Sequence, residues 1–325
     1  MKLFFPFIFL STAYAFSTKQ LRTFYDLALE YKHEFSTSDD FIYRFNVFLE
    51  NDNYINSVNN KNLSYTLAHN QFSFLTADEF NKQNRLKQYN LVKIDENSNN
   101  IFSQKRSLQN KDEEWDWTEK GAVTPVKDQA QCGSCWAFST TGSMEGAYFI
   151  KNNKLNSFSE QMLVDCDTND LGCYGGLMNN AFKWIQSNGG IELENDYPYT
   201  AMNGKCEASS HNVVEGTTPS SWSNVKSDDA SLMAAIKQQP VSVAIEADQS
   251  SFQFYSSGVL TGRCGTNLDH GVLAVGYGTL NGIDYYKVKN SWGKSWGMDG
   301  YVLLERNKSS SGQCGILLQA SFPNL

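Results

Sequence analysis

All seven cysteines of the chain lie between residues 132 and 314; the 131 residues before them contain none. Covalent cross-links can therefore stabilise only the later part, and an odd count leaves a thiol over after any full pairing. If the other six are all bridged, fifteen arrangements are open. Charge divides the chain at nearly the same place. Residues 16–110 carry eleven Lys and Arg against eleven Asp and Glu, whereas from Lys111 onward the counts are fifteen and twenty-four. Between the two runs a polar tract from Glu96 to Glu114, rich in Asn, Ser, Lys and Gln, which is expected to be an exposed linker open to proteolytic nicking.

The N-terminus decides the compartment. Lys2 precedes an apolar run from Leu3 to Leu10, and Ala13-Tyr14-Ala15 is a small-x-small cleavage site. The run is about half the ~20 residues a membrane span needs, so a cleaved signal peptide over residues 1–15 is expected rather than an anchor or a buried helix. No later segment is long and apolar enough to span a bilayer. Entry into the secretory route permits disulfides, and Asn62-Leu63-Ser64 and Asn307-Lys308-Ser309 fit glycan acceptors at Asn62 and Asn307. A net charge of -8 argues against nucleic acid, whose phosphates would be repelled. With 41% hydrophobic residues there is enough apolar mass for a sizeable core.

The neutral segment reads as helical. Phe41, Phe45, Phe48 and Ile55 follow three- and four-residue steps on one stripe, and Leu21, Tyr25, Leu27 and Tyr31 suggest a helix before it. Lying between a signal peptide and a nickable linker, it is expected to be a removable pro-segment rather than an ordinary helical domain. In the acidic part, Ser134–Ile150 and Leu177–Ser187 read as helices. After Ser221 come strand-like runs at Val241–Ile245, Gly271–Tyr277, Tyr285–Lys289 and Tyr301–Leu304, separated by Gly-rich turns. Helices first and strands later predict an α+β chain with a helical half and a β half.

The chemistry centres on Gln129-Ala130-Gln131-Cys132-Gly133-Ser134-Cys135-Trp136-Ala137-Phe138. Cys135 falls at the first turn of a long helix, where unpaired N–H groups and the helix dipole favour a thiolate. A thiolate nucleophile needs a base. Four histidines follow the signal peptide: His33 and His69 in the pro-segment, His211 in a polar surface stretch, and His270 at the entrance of the Gly271 strand. His270 alone stands where a rigid element can hold a catalytic base. Asn290, in Lys289-Asn290-Ser291-Trp292-Gly293, offers a neutral carbonyl to orient its second ring nitrogen, with Trp292 shielding the pair from water.

These motifs strongly resemble the papain-like cysteine proteases. The Cys-Gly-Ser-Cys-Trp run is followed by His270 and Asn290 at separations of 135 and 155 residues. Trp117, Gly121-Ala122-Val123-Thr124-Pro125-Val126-Lys127 and Gly172-Cys173-Tyr174-Gly175-Gly176 extend the match over essentially everything after the signal peptide. The resemblance implies a papain-like two-lobed fold, helical lobe plus β-barrel-like lobe with the cleft between, over residues 111–325. It makes Cys135 the nucleophile, His270 the acid and base, Asn290 the orienter and Gln129 an oxyanion-hole donor. It implies the bridges Cys132–Cys173, Cys166–Cys206 and Cys264–Cys314. Substrate would pair with Gly175 and Gly176, next to Trp292, and place an apolar side chain in a pocket of Leu177, Met178, Ala244, Leu268 and Gly271 floored by Gln319. No cofactor or metal is implied. The partners are polypeptide substrates, the chain's own pro-region and cystatin-type inhibitors, and the state is a monomer.

Residues 16–110 resemble the inhibitory pro-region of the cathepsin L-like branch through Arg44, Phe48, Asn51, Ile55 and Asn59, with Asp40 where the family has Glu. In a second motif Asn70 and Phe72 fit, but Ala68 stands for Gly and Phe74 for an Asp linked to acid-triggered release. That last departure puts an ordinary pH trigger in question. Ala130, where Gly is common, is expected only to adjust a turn. Two other classes compete: a thiol–disulfide exchange protein using Cys132 and Cys135, and a non-catalytic binding relative. The first leaves five cysteines unexplained; the second is opposed by the intact Cys135, His270, Asn290 and Gln129. The short stretch from Cys206 to Ser221 leaves little room for a loop capping the cleft, which favours an endopeptidase. The acidic mature part suits a lysosome, a digestive vacuole or secretion.

Overall fold

The computed structural model describes residues 17–83, 101–103, 114–208 and 213–325. The signal peptide, most of the polar linker with the boundary at 110/111, and His211 lie outside the described residues.

Two helices open the chain. Helix α1 (Thr18–Glu30) starts at a capping box in which Ser17 and Gln20 each accept the other's backbone N–H, an arrangement that contributes about 1 kcal/mol. Helix α2 (Ser38–Asn59) is capped by Thr37. The two meet over Phe24, Leu27, Ala28, Phe45, Phe48, Leu49 and Phe74, with Leu21, Tyr31, Phe35 and Phe41 at the margin. The expected α1 face needs one correction: Phe24 is its fully buried centre, while Tyr25 is 48% exposed. The α2 stripe also divides, because Phe41, Phe45 and Phe48 face this small core whereas Ile55 joins the main one.

The resemblance motif in α2 has a visible job. Arg44 donates to the Phe74 carbonyl and to Glu79, Asn51 donates to the carbonyls of Ser73 and Leu75, and Asn59 exchanges hydrogen bonds with Leu67. Polar side chains at intervals of about two turns thus bind the segment that returns along the helix. That segment forms strand β1 (Tyr65–Leu67) and helix α3 (Ala77–Gln83).

A two-residue strand β2 (Ile101–Phe102) precedes the larger unit. There, β3 (Trp115–Asp116) leads to helix α4 (Cys135–Asn152), which is buried on every side from Cys135 to Tyr148. Its polar side chains can be interior because they are hydrogen-bonded: Ser139 donates to the Val272 carbonyl, Thr140 to that of Trp136, Thr141 to Glu160 and Ser143 to the Pro240 carbonyl. Helices α5 (Glu160–Cys166) and α6 (Met178–Asn188) pack on it, and Cys132–Cys173 and Cys166–Cys206 staple this half. The other half contains β4 (Ser221–Val225), α7 (Asp229–Gln238), β5 (Val241–Ile245), α8 (Ser250–Gln253), β6 (Tyr255–Leu260), β7 (His270–Leu280), β8 (Ile283–Lys289), β9 (Tyr301–Glu305) and β10 (Ala320–Asn324). Cys264–Cys314 staples it.

The strands hydrogen-bond in the order β1-β6-β9-β8-β7-β5-β10-β4-β2, with β3 on β7. Residues that precede the larger unit therefore supply both ends of the order: β1 runs antiparallel to β6, and β2 parallel to β4. Gly258 makes the first pairing close, since a side chain there would meet the Ser64 carbonyl, and its φ of +80° suits glycine. The helical and strand expectations match these elements to within three residues at each end, the usual ambiguity of element ends.

Candidate active site

Cys135 is the first residue of α4, 3% exposed, and bonded to no other cysteine. Its Sγ accepts the backbone N–H of Gly271 at 3.4 Å. Cys132, three residues earlier, is bridged to Cys173, so the two cysteines of this run are not a redox pair. The turn between Gln129 and Cys132 contains Ala130 at φ +50°, held by an Asp128 carboxylate oxygen that accepts its N–H. The left-handed conformation explains why glycine suits that position and costs an alanine about 1 kcal/mol.

His270 opens β7 and is completely buried. Its Nε2 lies 2.7 Å from Asn290 Oδ1, and its ring stacks on Trp292 with centroids 4.7 Å apart. The same Asn290 oxygen accepts the Ser291 N–H at 2.8 Å. A backbone N–H can only donate, so the atom facing it is the carbonyl oxygen, and Nε2 must then carry the ring proton. Nδ1 is left with its lone pair, buried and without a hydrogen-bond partner. That is the nitrogen able to exchange a proton with a neighbouring group. Burial holds His270 below the usual imidazole range, at about 4, against the opposing pull of its bond to Asn290.

Gln129 is buried beside this pair. Its backbone N–H donates to the Ser291 carbonyl, its Oε1 accepts from the Ser291 hydroxyl at 2.7 Å, and its Nε2 donates to the Cys132 carbonyl at 3.0 Å. One amide hydrogen of Nε2 remains for a further acceptor. Sequence reasoning missed Tyr199, whose hydroxyl donates to the Gln129 carbonyl and bonds Ser134 Oγ at 2.6 Å. Its one signal is an aromatic in Tyr197-Pro198-Tyr199, which says nothing about a partner seventy residues away.

The proposed recognition residues also gather. Met178, Ala244 and Leu268 share one apolar cluster, and a side chain on Gly271 would meet Met178 Sδ at 3.2 Å. The Gln319 carbonyl accepts the Ala244 N–H, and its Oε1 is buried without a partner. Leu177 and Gly175 are partly exposed next to Gly176. Asn62 and Asn307 are both exposed, but the Asn307 amide already donates to Asp284.

The pro-segment reaches the site through Trp292. Phe72 and Phe80 meet that indole edge to face at 5.5 and 5.3 Å, completing a cage with Phe252 and Trp296. Gln71 donates to the Trp292 carbonyl at 2.7 Å, and Asn70 to the Gln253 carbonyl at 2.7 Å. No group of metal-ligating side chains occurs among the described residues, and none of their helices is long and apolar enough to cross a membrane.

Comparison with known proteins agrees with this geometry. Residues 111–324 match the papain family cysteine protease model, and residues 24–80 match the cathepsin propeptide inhibitor domain (I29). The KDEL-tailed cysteine endopeptidase CEP2 of Arabidopsis thaliana is 47% identical over 286 residues, covering 86% of this chain and 79% of that protein. Germination-specific cysteine protease 1 of the same plant is 47% identical over 288 residues, covering 86% and 77%. Among solved structures, the proform of the ragweed pollen allergen Amb a 11 cysteine protease superposes with a TM-score of 0.85 at 35% identity, covering 95% of this chain and 96% of that one. Digestive procathepsin L 3 of the Tenebrio molitor larval midgut gives 0.82 at 35% identity, covering 95% and 100%. The chain therefore belongs to the papain family of cysteine proteases, as an endopeptidase preceded by its own cathepsin-type propeptide inhibitor domain.

Proposed function

We propose that this endopeptidase is made as a secretory zymogen, with a signal peptide over 1–15, an inhibitory pro-region over 16–110 and a peptidase domain over 111–325, and that it cleaves polypeptides through Cys135, His270, Asn290 and Gln129. The observation that carries the reading is the Asn290 oxygen shared by Ser291 N–H and His270 Nε2, which leaves Nδ1 as a proton acceptor and donor. The Cys135 thiolate attacks the scissile carbonyl, and the oxyanion takes hydrogen bonds from Gln129 Nε2 and the Cys135 N–H. Imidazolium His270 then protonates the departing amine, leaving a thioester. Water, deprotonated by His270, releases the acid and restores the thiol. In the zymogen, burial favours neutral His270; departure of Phe72 and Phe80 opens Trp292 to water and allows the thiolate–imidazolium pair to form.

Gly175, Gly176 and the Trp292 wall support strand-like binding of substrate, with an apolar side chain two positions before the cut in the Leu177, Met178, Ala244, Leu268 and Gly271 pocket. The partnerless Gln319 oxygen at its floor widens tolerance to polar side chains. Three disulfides and a KDEL-tailed relative support the secretory route, ending in a lysosome, digestive vacuole or outside the cell. Glycans at Asn62 and Asn307, a monomeric state and sensitivity to cystatin-type inhibitors complete the reading. The test is labelling of the acid-activated protein with an epoxysuccinyl peptide and peptide mass mapping. A stoichiometric adduct on Cys135, lost in Cys135→Ser together with peptide hydrolysis, is expected. Absence of an adduct after verified loss of the pro-region refutes the mechanism.

A further inference from the structure

Behind Gly175-Gly176-Leu177 lie two acidic side chains that the reaction does not use. Asp170 Oδ1 accepts the Leu177 N–H at 2.9 Å and the Asn180 side-chain amide at 3.0 Å. A side chain on Gly176 would come within 2.7 Å of Asp170 Cγ and 2.6 Å of the Trp136 ring, so these two groups back this segment. Asp167, 5% exposed, accepts the Asn169 N–H through Oδ1 at 2.8 Å. The remaining oxygens, Asp167 Oδ2 and Asp170 Oδ2, are both buried without an N–H or hydroxyl donor.

The two carboxyl groups, three residues apart, act directly on each other, and no donor hydrogen lies on either outer oxygen. Ionised carboxylates only accept, so two in contact repel unless one proton lies between them. The neighbours supply no relief by charge: the facing groups are the Leu177 and Asn169 N–H, the Asn180 amide and the Trp136 ring, and neither aspartate has a cationic partner among the described residues. Burial raises both aspartates, and with Asp167 beside it Asp170 is lifted to about 7.

We propose that Asp167 and Asp170 share one proton and act as a positioning pair for the substrate-pairing segment Gly175-Gly176-Leu177, so that peptide binding weakens when the proton is lost. With the proton in place, Asp170 stays under Leu177 N–H and Gly176. Without it, the carboxylates separate and the segment moves with Asp170. The catalytic end is fastened independently by Cys132–Cys173 and by the Gly133 N–H on the Cys173 carbonyl, so the effect falls on KM rather than kcat. The inference rests on the reading that Gly175 and Gly176 pair with substrate.

The test follows kcat and KM from pH 5 to 8 for the enzyme activated from its full chain, using a fluorogenic peptide with an apolar side chain two positions before the cut. For the unsubstituted enzyme KM is expected to rise about threefold or more between pH 6 and 8 while kcat holds. Asp170→Asn reproduces the neutral acid, accepting through its carbonyl and donating to Asp167 through its amide, and its KM is expected to stay level over the same range. Asp170→Ala is expected to raise KM at every pH. A level KM in the unsubstituted enzyme, or the same rise in Asp170→Asn, overturns the proposal. An infrared titration of the Cys135→Ser full chain separates this from the catalytic reading. A buried protonated carboxyl that titrates near neutrality and vanishes in Asp170→Asn supports proton sharing even if peptide hydrolysis is absent, and its absence refutes the pair while hydrolysis stands.

Discussion

The Asn290 carbonyl decides what His270 can do. By accepting from both Ser291 N–H and Nε2 it selects one tautomer and one ring orientation, and Trp292 holds the ring flat against it. Asn290→Ala removes the acceptor and leaves both ring nitrogens to solvent or to chance. The expected result is a kcat lowered by about tenfold or more with KM little changed, because the loss falls on proton transfer rather than on substrate contacts. Steady-state kinetics of the activated variant checks it. Cys135, His270 and Asn290 stood out in the sequence because the roles proposed for them, nucleophile, base and orienter, demand particular residue types in characteristic local runs. Tyr199 was not legible, since its role comes entirely from where its hydroxyl lands in space.

Among the elements, the pro-segment core carries an unusual feature. Phe74 is 1% exposed and stacks on His33 at 4.5 Å, while Phe48 stacks on His69 at 4.6 Å. His69 Nε2 also lies 3.1 Å from Asp52 Oδ1. Burial lowers both histidines; for His33, Arg44 lowers further and Asp40 opposes, and for His69, Asp52 opposes. The folded values lie below 6.5, so the unfolded pro-core binds more protons as pH falls past that value. Stability of this core is fully present above about 6.5 and is lost on acidification toward the folded values. Acid release is therefore expected in spite of Phe74, with His33 and His69 beneath the aromatic rings as its carriers. His33→Phe and His69→Gln are expected to move the pH of half-maximal self-processing downward, measured by gel on the full chain. An unchanged midpoint in both variants contradicts this account.

Helix periodicity found α1 and α2 but could not divide their faces. The α2 stripe looks continuous in sequence, yet Phe45 and Phe48 pack on α1 while Ile55 packs with the β half. Strands β1 and β2 escaped detection for a related reason: at three and two residues they have too little pattern of their own and exist because β6 and β4 offer edges.

For the molecule as a whole, pH acts on the peptidase unit with the opposite sign. Burial raises Asp269, which accepts the Ala247 N–H, to about 8, and Asp170 to about 7. Both folded values exceed the unfolded value of 3.8, so the native state holds protons that the unfolded chain releases, and stability falls as pH rises through that window. His270 acts in the other direction, but only below 6.5. Between about pH 6.5 and 8 nothing from that histidine opposes the carboxyls, and the activated protein is expected to lose melting temperature steadily, by a few degrees. Thermal unfolding of the Cys135→Ser protein after pro-region removal measures it; a level or rising midpoint refutes it. The two effects succeed each other on acidification: the enzyme is expected to gain stability from about pH 8 to 6.5, and the inhibitor core to loosen below about 6.5.

By itself the sequence determined the two-part organisation and singled out Cys135, His270, Asn290 and Gln129 as the residues proposed for the reaction, because residue type and local order set charge, nucleophilicity and helical or strand periodicity. Only the tertiary structure decided which faces of α2 serve which core, that Tyr199 braces Gln129, and that Asp170 lies buried beneath Gly176 with an oxygen unpartnered. Those features depend on distance and burial between residues far apart in the chain or turned toward a common interior, and neither quantity is written in the order of residues.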